Sequence, residues 1–259
     1  FVPPPPDQLP DCLGALEKFL HDDPVRTPTL VKAALAQTWP NLELIISDDH
    51  SPDGTFQEIE RAVAGYAGPH TLILNRNEKN LGLIAHVNKV NAMATGEFIV
   101  VAAGDDISVP ERTTVLTRAW LAKGRPMGSL HSAVTCIDES GRVLRDMRAP
   151  MITAGLSHQQ LLVSSSLVIG ASHAWSKSLV ERFGPITVAD SYEDLVIAYR
   201  SLIAGELIHV DEPLVRYREV EQMVPLLLAR GIHVQIVTSA FRTMPDSWRD
   251  LDHLNVVVS

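Results

Sequence analysis

Two acidic pairs stand where short apolar runs give out. Residues 42–47 lead into Asp48-Asp49, and residues 98–104 lead into Asp105-Asp106. Carboxylates gathered in one cleft repel one another unless a cation neutralises them, a proton is retained or they are splayed apart. Hard divalent metals take oxygen ligands of this kind. An anionic, metal-bridged substrate such as a nucleotide diphosphate is the natural occupant. Gly104, just before the second pair, lets backbone approach a ligand closely.

The elements that must position these pairs follow from pattern. The two runs are short and β-branched with polar exits, the signature of strands buried on both faces of a parallel sheet. Ligands of such sheets bind outside the carboxyl ends of the strands, so both pairs belong to one edge. A strand over 42–47, a helix near 55–65, a strand over 71–75, a helix near 83–94 and a strand over 97–103 give the βαβαβ rhythm of an open α/β sheet. A helix pattern over 29–37 precedes them and stops at Trp39-Pro40; another covers 11–20. After a helix that follows Pro110, the second half reads as a strand near 129–137, helices near 157–163, 176–183 and 192–204, and a strand near 207–210. The tail reads as a helix over 220–230 and strands near 232–238 and 254–258, and residues 1–6 as an extended proline-rich linker.

Composition narrows the partners. The chain has 259 residues, 46% of them hydrophobic, with a net charge of −9. That balance argues against nucleic acid or an anionic membrane surface as the main partner. Cys12 and Cys136 have no metal-type spacing, so no zinc site and no disulfide framework are expected, and a reducing, cytoplasmic setting is the default. No apolar stretch reaches the length of a membrane span.

Bland readings compete at several positions. Asp49, Ser51, Asp53, Gly54 and Glu60 match the spacing of an EF-hand calcium loop, but that loop needs an incoming helix where a strand is expected. Asp53 and Gly54 read as turn formers, and Glu60 as exposed on a helix. Ser191 as N-cap with Asp194 at the third helical position would make a capping box. His86, His131, His173 and His209 lack ligand spacing and read as core or surface residues.

Ordered blocks across residues 29–218 then carry a resemblance. The stretches 36–43 (AQTWPNLE) and 45–55 (IISDDHSPDGT), Asn80-Leu81-Gly82 through Asn88, 94–99 (ATGEFI), Gly104-Asp105-Asp106, Tyr192-Glu193-Asp194-Leu195 with Arg200 and Gly205, and 212–218 (EPLVRYR) resemble the signatures of family 2 glycosyltransferases. The resemblance implies an α/β, GT-A type doubly wound and mostly parallel sheet flanked by helices, with an acceptor-side half. It divides the chain into an extension over 1–28, a glycosyltransferase domain over 29–218 and a tail over 219–259, which is either a helix-strand extension or the start of a second domain. Within the domain, the nucleotide-binding half covers about 29–110 and the acceptor half about 111–218. Implied contacts to the nucleotide-sugar are Asp48, Asp49, Asn80, Gly82, Asn88 and Asp105, with Asp49 at a uracil-type base. Asp106 and Asp105 would hold Mn²⁺ or Mg²⁺. Asp194 would be the catalytic base, with Glu193 as its fallback. The activity implied is inverting transfer from a UDP-sugar to a saccharide or lipid-linked acceptor in polysaccharide or cell-envelope glycan synthesis, at the inner face of the membrane or in a membrane-bound complex. The alternative is a catalytically silent structural or regulatory domain of a larger polysaccharide-synthesis protein. Two departures stand out: residues 19–26 do not form the strand with which the family opens, and Arg218 is followed by Glu219-Val220-Glu221 where the family often has a histidine.

Overall fold

A computed structural model describes residues 26–40, 42–104, 106–147, 168–188, 191–218, 234–239 and 256–258, the last two segments as backbone. The helices expected at 11–20, 157–163 and 220–230 lie outside the described residues, as does Asp105.

The first half keeps the expected alternation. Helix α1 (Arg26–Leu35), strand β1 (Glu43–Asp48), α2 (Thr55–Val63), β2 (Thr71–Arg76), α3 (Leu83–Met93) and β3 (Phe98–Ala103) follow in order. Then come the short β4 (Ile107–Ser108), α4 (Arg112–Ala122), the long β5 (Gly128–Ile137), β6 (Val143–Met147), a 3-10 turn (Gly170–Ser172), β7 (His173–Ser176), α5 (Lys177–Phe183), α6 (Glu193–Ala204) and β8 (Glu206–Arg218). Strands β9 (Val234–Ser239) and β10 (Val256–Val258) complete one sheet of order β2-β1-β9-β3-β7-β5-β8-β4, with β10 on β3 and β6 on β5.

The pairings correct the mostly parallel expectation in a specific way. Strands β1, β2, β3, β5 and β8 all run in one direction, but antiparallel β9 separates β1 from β3, and antiparallel β7 separates β3 from β5. The sheet is mixed, yet the carboxyl ends of these five strands, with β10 parallel to β3, still form one edge.

Period-two alternation sorts the core into two layers. Leu44, Ile46, Phe98, Val100 and Ala102 face one side, where Leu30 and Val31 of α1, Ile59 of α2 and Leu116 and Trp120 of α4 cover them. Phe98 and Trp120 stack there at 4.8 Å. Ile45 and Ile99 face the other side, packed on Ile84 and Val90 of α3, Leu179 of α5 and Ile197 of α6. Two buried faces require unbroken apolar strands, which is why β1 and β3 carry no polar alternation.

Strand β8 runs well past the expected 207–210. Its pairing with β5 slips between Ser132 and Ala133, where the partner jumps from Val210 to Pro213. The Asp211-Glu212-Pro213 stretch is thus an irregularity within one strand, the kind of position that tolerates proline.

Candidate active site

The carboxyl edge gathers its acidic residues at two stations. At the first, β1 ends in Asp48 and Asp49, both completely buried. Asp48 builds the turn that follows: its Oδ1 accepts from Ser51 N at 3.1 Å and from Ser51 Oγ at 2.6 Å, and Arg76 Nε lies 3.4 Å from Oδ2. Asp49 turns the other way, towards the loop after β2. Its Oδ1 accepts from Asn77 Nδ2 at 2.6 Å and Leu81 N at 2.9 Å, and its Oδ2 from Gly82 N at 2.9 Å. Gly82 is the N-cap of α3 with φ 78°, a left-handed conformation that favours glycine, and its N–H also donates to Asn80 Oδ1 at 3.0 Å. Asp49 thereby places a negative charge at a helix N-terminus, where the dipole favours it. His50, between these loops, holds φ 63°, an uncommon conformation for a non-glycine residue.

At the second station, Asp106 is buried beyond β3, and its Oδ1 accepts from Arg218 N at 2.7 Å, at the end of β8. The Arg112 guanidinium is wholly buried. It donates to Ser108 Oγ at 2.9 Å, Val101 O at 2.6 Å and Ala171 O at 2.8 Å. Burial pulls it down to about 9, and the charge of Asp106 opposes that fall. Ala171 belongs to the 3-10 turn, and that turn also meets the third acidic pair: a Cβ built on Gly170 would lie 2.9 Å from Asp194 Oδ2. Glu193 and Asp194 open the first turn of α6. Burial, and secondarily the charge of Asp194, lifts Glu193 to about 7. Burial also raises Asp194, against hydrogen bonds such as that from Leu195 N at 2.7 Å. The turn thus links the buried charge cluster at Asp106 with a desolvated carboxylate pair that can hold or release a proton near neutrality.

A family model described as Glycosyl transferase family 2 matches residues 21–181, well over half of the chain. The chain belongs to this family. EpsE of Bacillus subtilis, a glycosyltransferase by name, is 34% identical over 128 residues, 48% of this chain and 45% of EpsE. The cholesterol galactosyltransferase of Borreliella burgdorferi is 35% identical over 77 residues, 30% of this chain and 20% of that protein. The chain therefore spans under half the length of these relatives. Among solved structures, residues 1–349 of S. aureus TarS in complex with UDP-GlcNAc superpose with a TM-score of 0.56 at 19% identity, covering 75% of this chain and 55% of that one. The mannosyltransferase PcManGT of Pyrobaculum calidifontis, in complex with GDP-Man and Mn²⁺, gives 0.51 at 20% identity, covering 73% of this chain and 52% of that one. These similarities establish the GT-A type α/β fold.

Within this member of the family the remaining expected residues fall as follows. Asn80 is exposed in the loop that Asp49 holds. Asn88 sits on α3 with both ends of its amide on Ile186: Nδ2 donates to Ile186 O at 2.8 Å and Oδ1 accepts from Ile186 N at 2.9 Å. It latches α3 to the segment before α6, away from the Asp49 loop. Arg200 donates to Gly184 O at 2.7 Å and Pro185 O at 3.2 Å and lies over Phe183, closing the end of α5. The capping box at Ser191 does not form: Tyr192 is the N-cap, and Ser191 Oγ donates to Val188 O at 2.7 Å. The calcium-loop spacing is also dispersed, since Asp49 faces the 77–82 loop, Asp53 Oδ1 accepts from Thr55 N at 2.9 Å, and Glu60 is exposed on α2. Among the described residues, no group of three or more metal-type side chains gathers, and no helix is long and apolar enough to cross a membrane.

Arg112 is the main residue that sequence reading missed. An arginine one position into a helix carries no signal of burial; only its carbonyl partners reveal its place. His86, His131 and His173 are buried and His209 is half-buried, as a core role requires.

Proposed function

We propose that this chain transfers a sugar with inversion from a UDP-sugar to a saccharide or lipid-linked acceptor, for polysaccharide or cell-envelope glycan synthesis. What supports this reading is the 3-10 turn at Gly170–Ser172, which has Arg112 and the Asp106 station on one side and Asp194 on the other. The nucleotide end is assigned to the β1 and β2 exits with Asp48, Asp49, Asn80 and Gly82. In the sheet order, three strand spacings separate β2 from β3, about 14 Å. That span suits a nucleoside diphosphate laid across the edge, base towards β2 and phosphates towards β3.

Asp194 is proposed to take the proton of the acceptor hydroxyl as it attacks the anomeric carbon from the face opposite the leaving diphosphate. Glu193, pushed up to about 7 by burial and by the charge of Asp194, is only partly ionised at neutral pH, which lessens the repulsion on Asp194. Arg112 fixes the 3-10 turn against β3 and balances Asp106. The donor set fits a hard divalent cation, because Mg²⁺ and Mn²⁺ in phosphate chemistry are held by one or two carboxylates plus substrate oxygens. Asp106, with Asp105 beside it in sequence, would hold Mn²⁺ or Mg²⁺. When bound, the cation supplies charge neutralisation to the departing diphosphate.

The test is calorimetry of UDP with Mn²⁺. The wild-type chain should bind, and Asp106→Asn should weaken binding more than tenfold, about 1.4 kcal/mol. Equal titration curves for the two proteins would remove Asp106 from the metal role. A folded wild-type chain that binds no nucleotide would instead mark a silent structural or regulatory domain of a larger polysaccharide-synthesis protein.

A further inference from the structure

Two large apolar side chains stand in solvent just ahead of the carboxylate pair that opens α6. Val188 is 62% exposed and Tyr192 55%. Ser191 draws them into one turn, because its N and its Oγ both donate to Val188 O, at 3.3 and 2.7 Å. Tyr192 is the N-cap of α6 through its backbone: its carbonyl accepts from Val196 N at 3.1 Å, and its side chain makes no capping bond. An aromatic ring two residues from Asp194 is therefore left facing water with no part in the helix cap.

Two helices set the place of this pair. Helices α3 and α6 each lead into a strand that rises to the carboxyl edge, β3 and β8, so both helices begin at that edge. Asn88 of α3 holds both backbone groups of Ile186, two residues before Val188. Along α6, Asp194 heads the row of Ile197, Ala198 and Ser201, which is buried, whereas Tyr192 heads the row of Val196, which packs with Ile84 and Ile186. Val188 and Tyr192 thus form a rim between the helix that starts at the nucleotide end and the helix that carries Asp194. A small apolar rim suits a flat body with polar edges. A pyranose has that form: its axial C–H groups make a face apolar while its hydroxyls ring the outside, and a tyrosine offers an apolar ring with a polar tip. A lipid chain would need apolar surface that continues away from Asp194. The next exposed large apolar residue on α6 is Ile203, about 14 Å further down the helix, and among the described residues the others, Val143 and Leu144, belong to β6.

We propose that Tyr192, backed by Val188, is the platform on which a pyranose ring of the acceptor stacks, turning one hydroxyl towards Asp194. The acceptor is then read by its saccharide part and not by a lipid chain. This inference rests on the proposed glycosyl transfer with Asp194 as base.

The test is saturation-transfer NMR on the full chain with UDP and Mg²⁺, using methyl β-D-glucopyranoside, methyl β-D-galactopyranoside and geranyl phosphate as probes. Wild type should transfer saturation to at least one glycoside, most strongly to its axial ring hydrogens, and geranyl phosphate should not displace it. Tyr192→Ala should weaken glycoside binding tenfold or more, Tyr192→Phe should hold it within threefold, and Val188→Ser should weaken it several-fold. UDP affinity, circular dichroism and melting temperature, recorded for each variant, should stay near wild type. The proposal is overturned if folded Tyr192→Ala binds the glycosides as wild type does, or if Tyr192→Phe loses as much as Tyr192→Ala, which would make the hydroxyl and not the ring face the contact. It is equally overturned if wild type binds UDP but neither glycoside, or if geranyl phosphate takes their place. Failure of the underlying reading shows separately, as a folded wild type that binds no UDP, and takes this inference with it.

Discussion

Burial and the neighbouring charge of Asp194 raise Glu193 from 4.5 to about 7. The folded state therefore holds this proton more tightly than the unfolded chain. Stability must fall as pH rises from about 4.5, with the full penalty in place above about 7. Glu193→Gln removes the ionisation and not the shape, so its melting temperature relative to wild type should be higher at pH 8 than at pH 5. A difference independent of pH between these values would mean that Glu193 is solvated and ionises normally. At this scale the sequence disclosed types and spacing but not partners. Asp106 stood out as part of an acidic pair after a buried strand, whereas an acidic pair at a helix start is favoured by the dipole, so Asp194 stood out only through the family resemblance. The inward turn of Asp49 was not legible, since it depends on Asn77 and Gly82, some thirty residues away and joined to it only by the pairing of β1 with β2.

At the scale of elements, the 3-10 turn at Gly170–Ser172 lies between Arg112, beside Asp106, and the Asp194 carboxylate. Residue 170 must lack a Cβ, because such an atom would lie 2.9 Å from Asp194 Oδ2 and 3.3 Å from Asp194 Cγ. Gly170→Ala must displace the Asp194 carboxylate by a few tenths of an ångström or more. Misplacing a reacting group on this scale is costly, so turnover should drop by roughly tenfold while UDP affinity and melting temperature stay close to wild type. Unchanged turnover would show that Asp194 works from a different rotamer. The first-half elements were readable because their periodicity agrees with their burial. Strand β7 was not, since its four residues are too few to show a period. The length of β8 was hidden by Asp211-Glu212-Pro213, which reads as a stop and proves to be an irregularity within a continuing strand. The histidines form a row across three strands, His173 opposite His131 and His131 opposite His209. Nothing in their sequence spacing, 131, 173 and 209, announces it.

For the whole molecule, the surprise is in the middle of the sheet. The pattern of residues 19–26 does not read as a strand, and the place between β1 and β3 is held by β9, antiparallel to both. A tail strand in that position ties the integrity of the edge to residues far along the chain. Deleting residues 220–259 leaves the facing backbone groups of two central strands unpaired. At about 1 kcal/mol per lost hydrogen bond, the melting temperature should drop by more than about 10 °C. Unchanged melting would make the tail the start of a separate domain instead. Glycosyl transfer at the acidic edge with Asp194 as base is tested by the turnover and UDP affinity of Asp194→Asn, measured together. Turnover should fall by about 10² to 10⁴ with UDP affinity near that of wild type, the mark of a lost proton acceptor. UDP affinity falling in parallel, or turnover left unchanged, would contradict it.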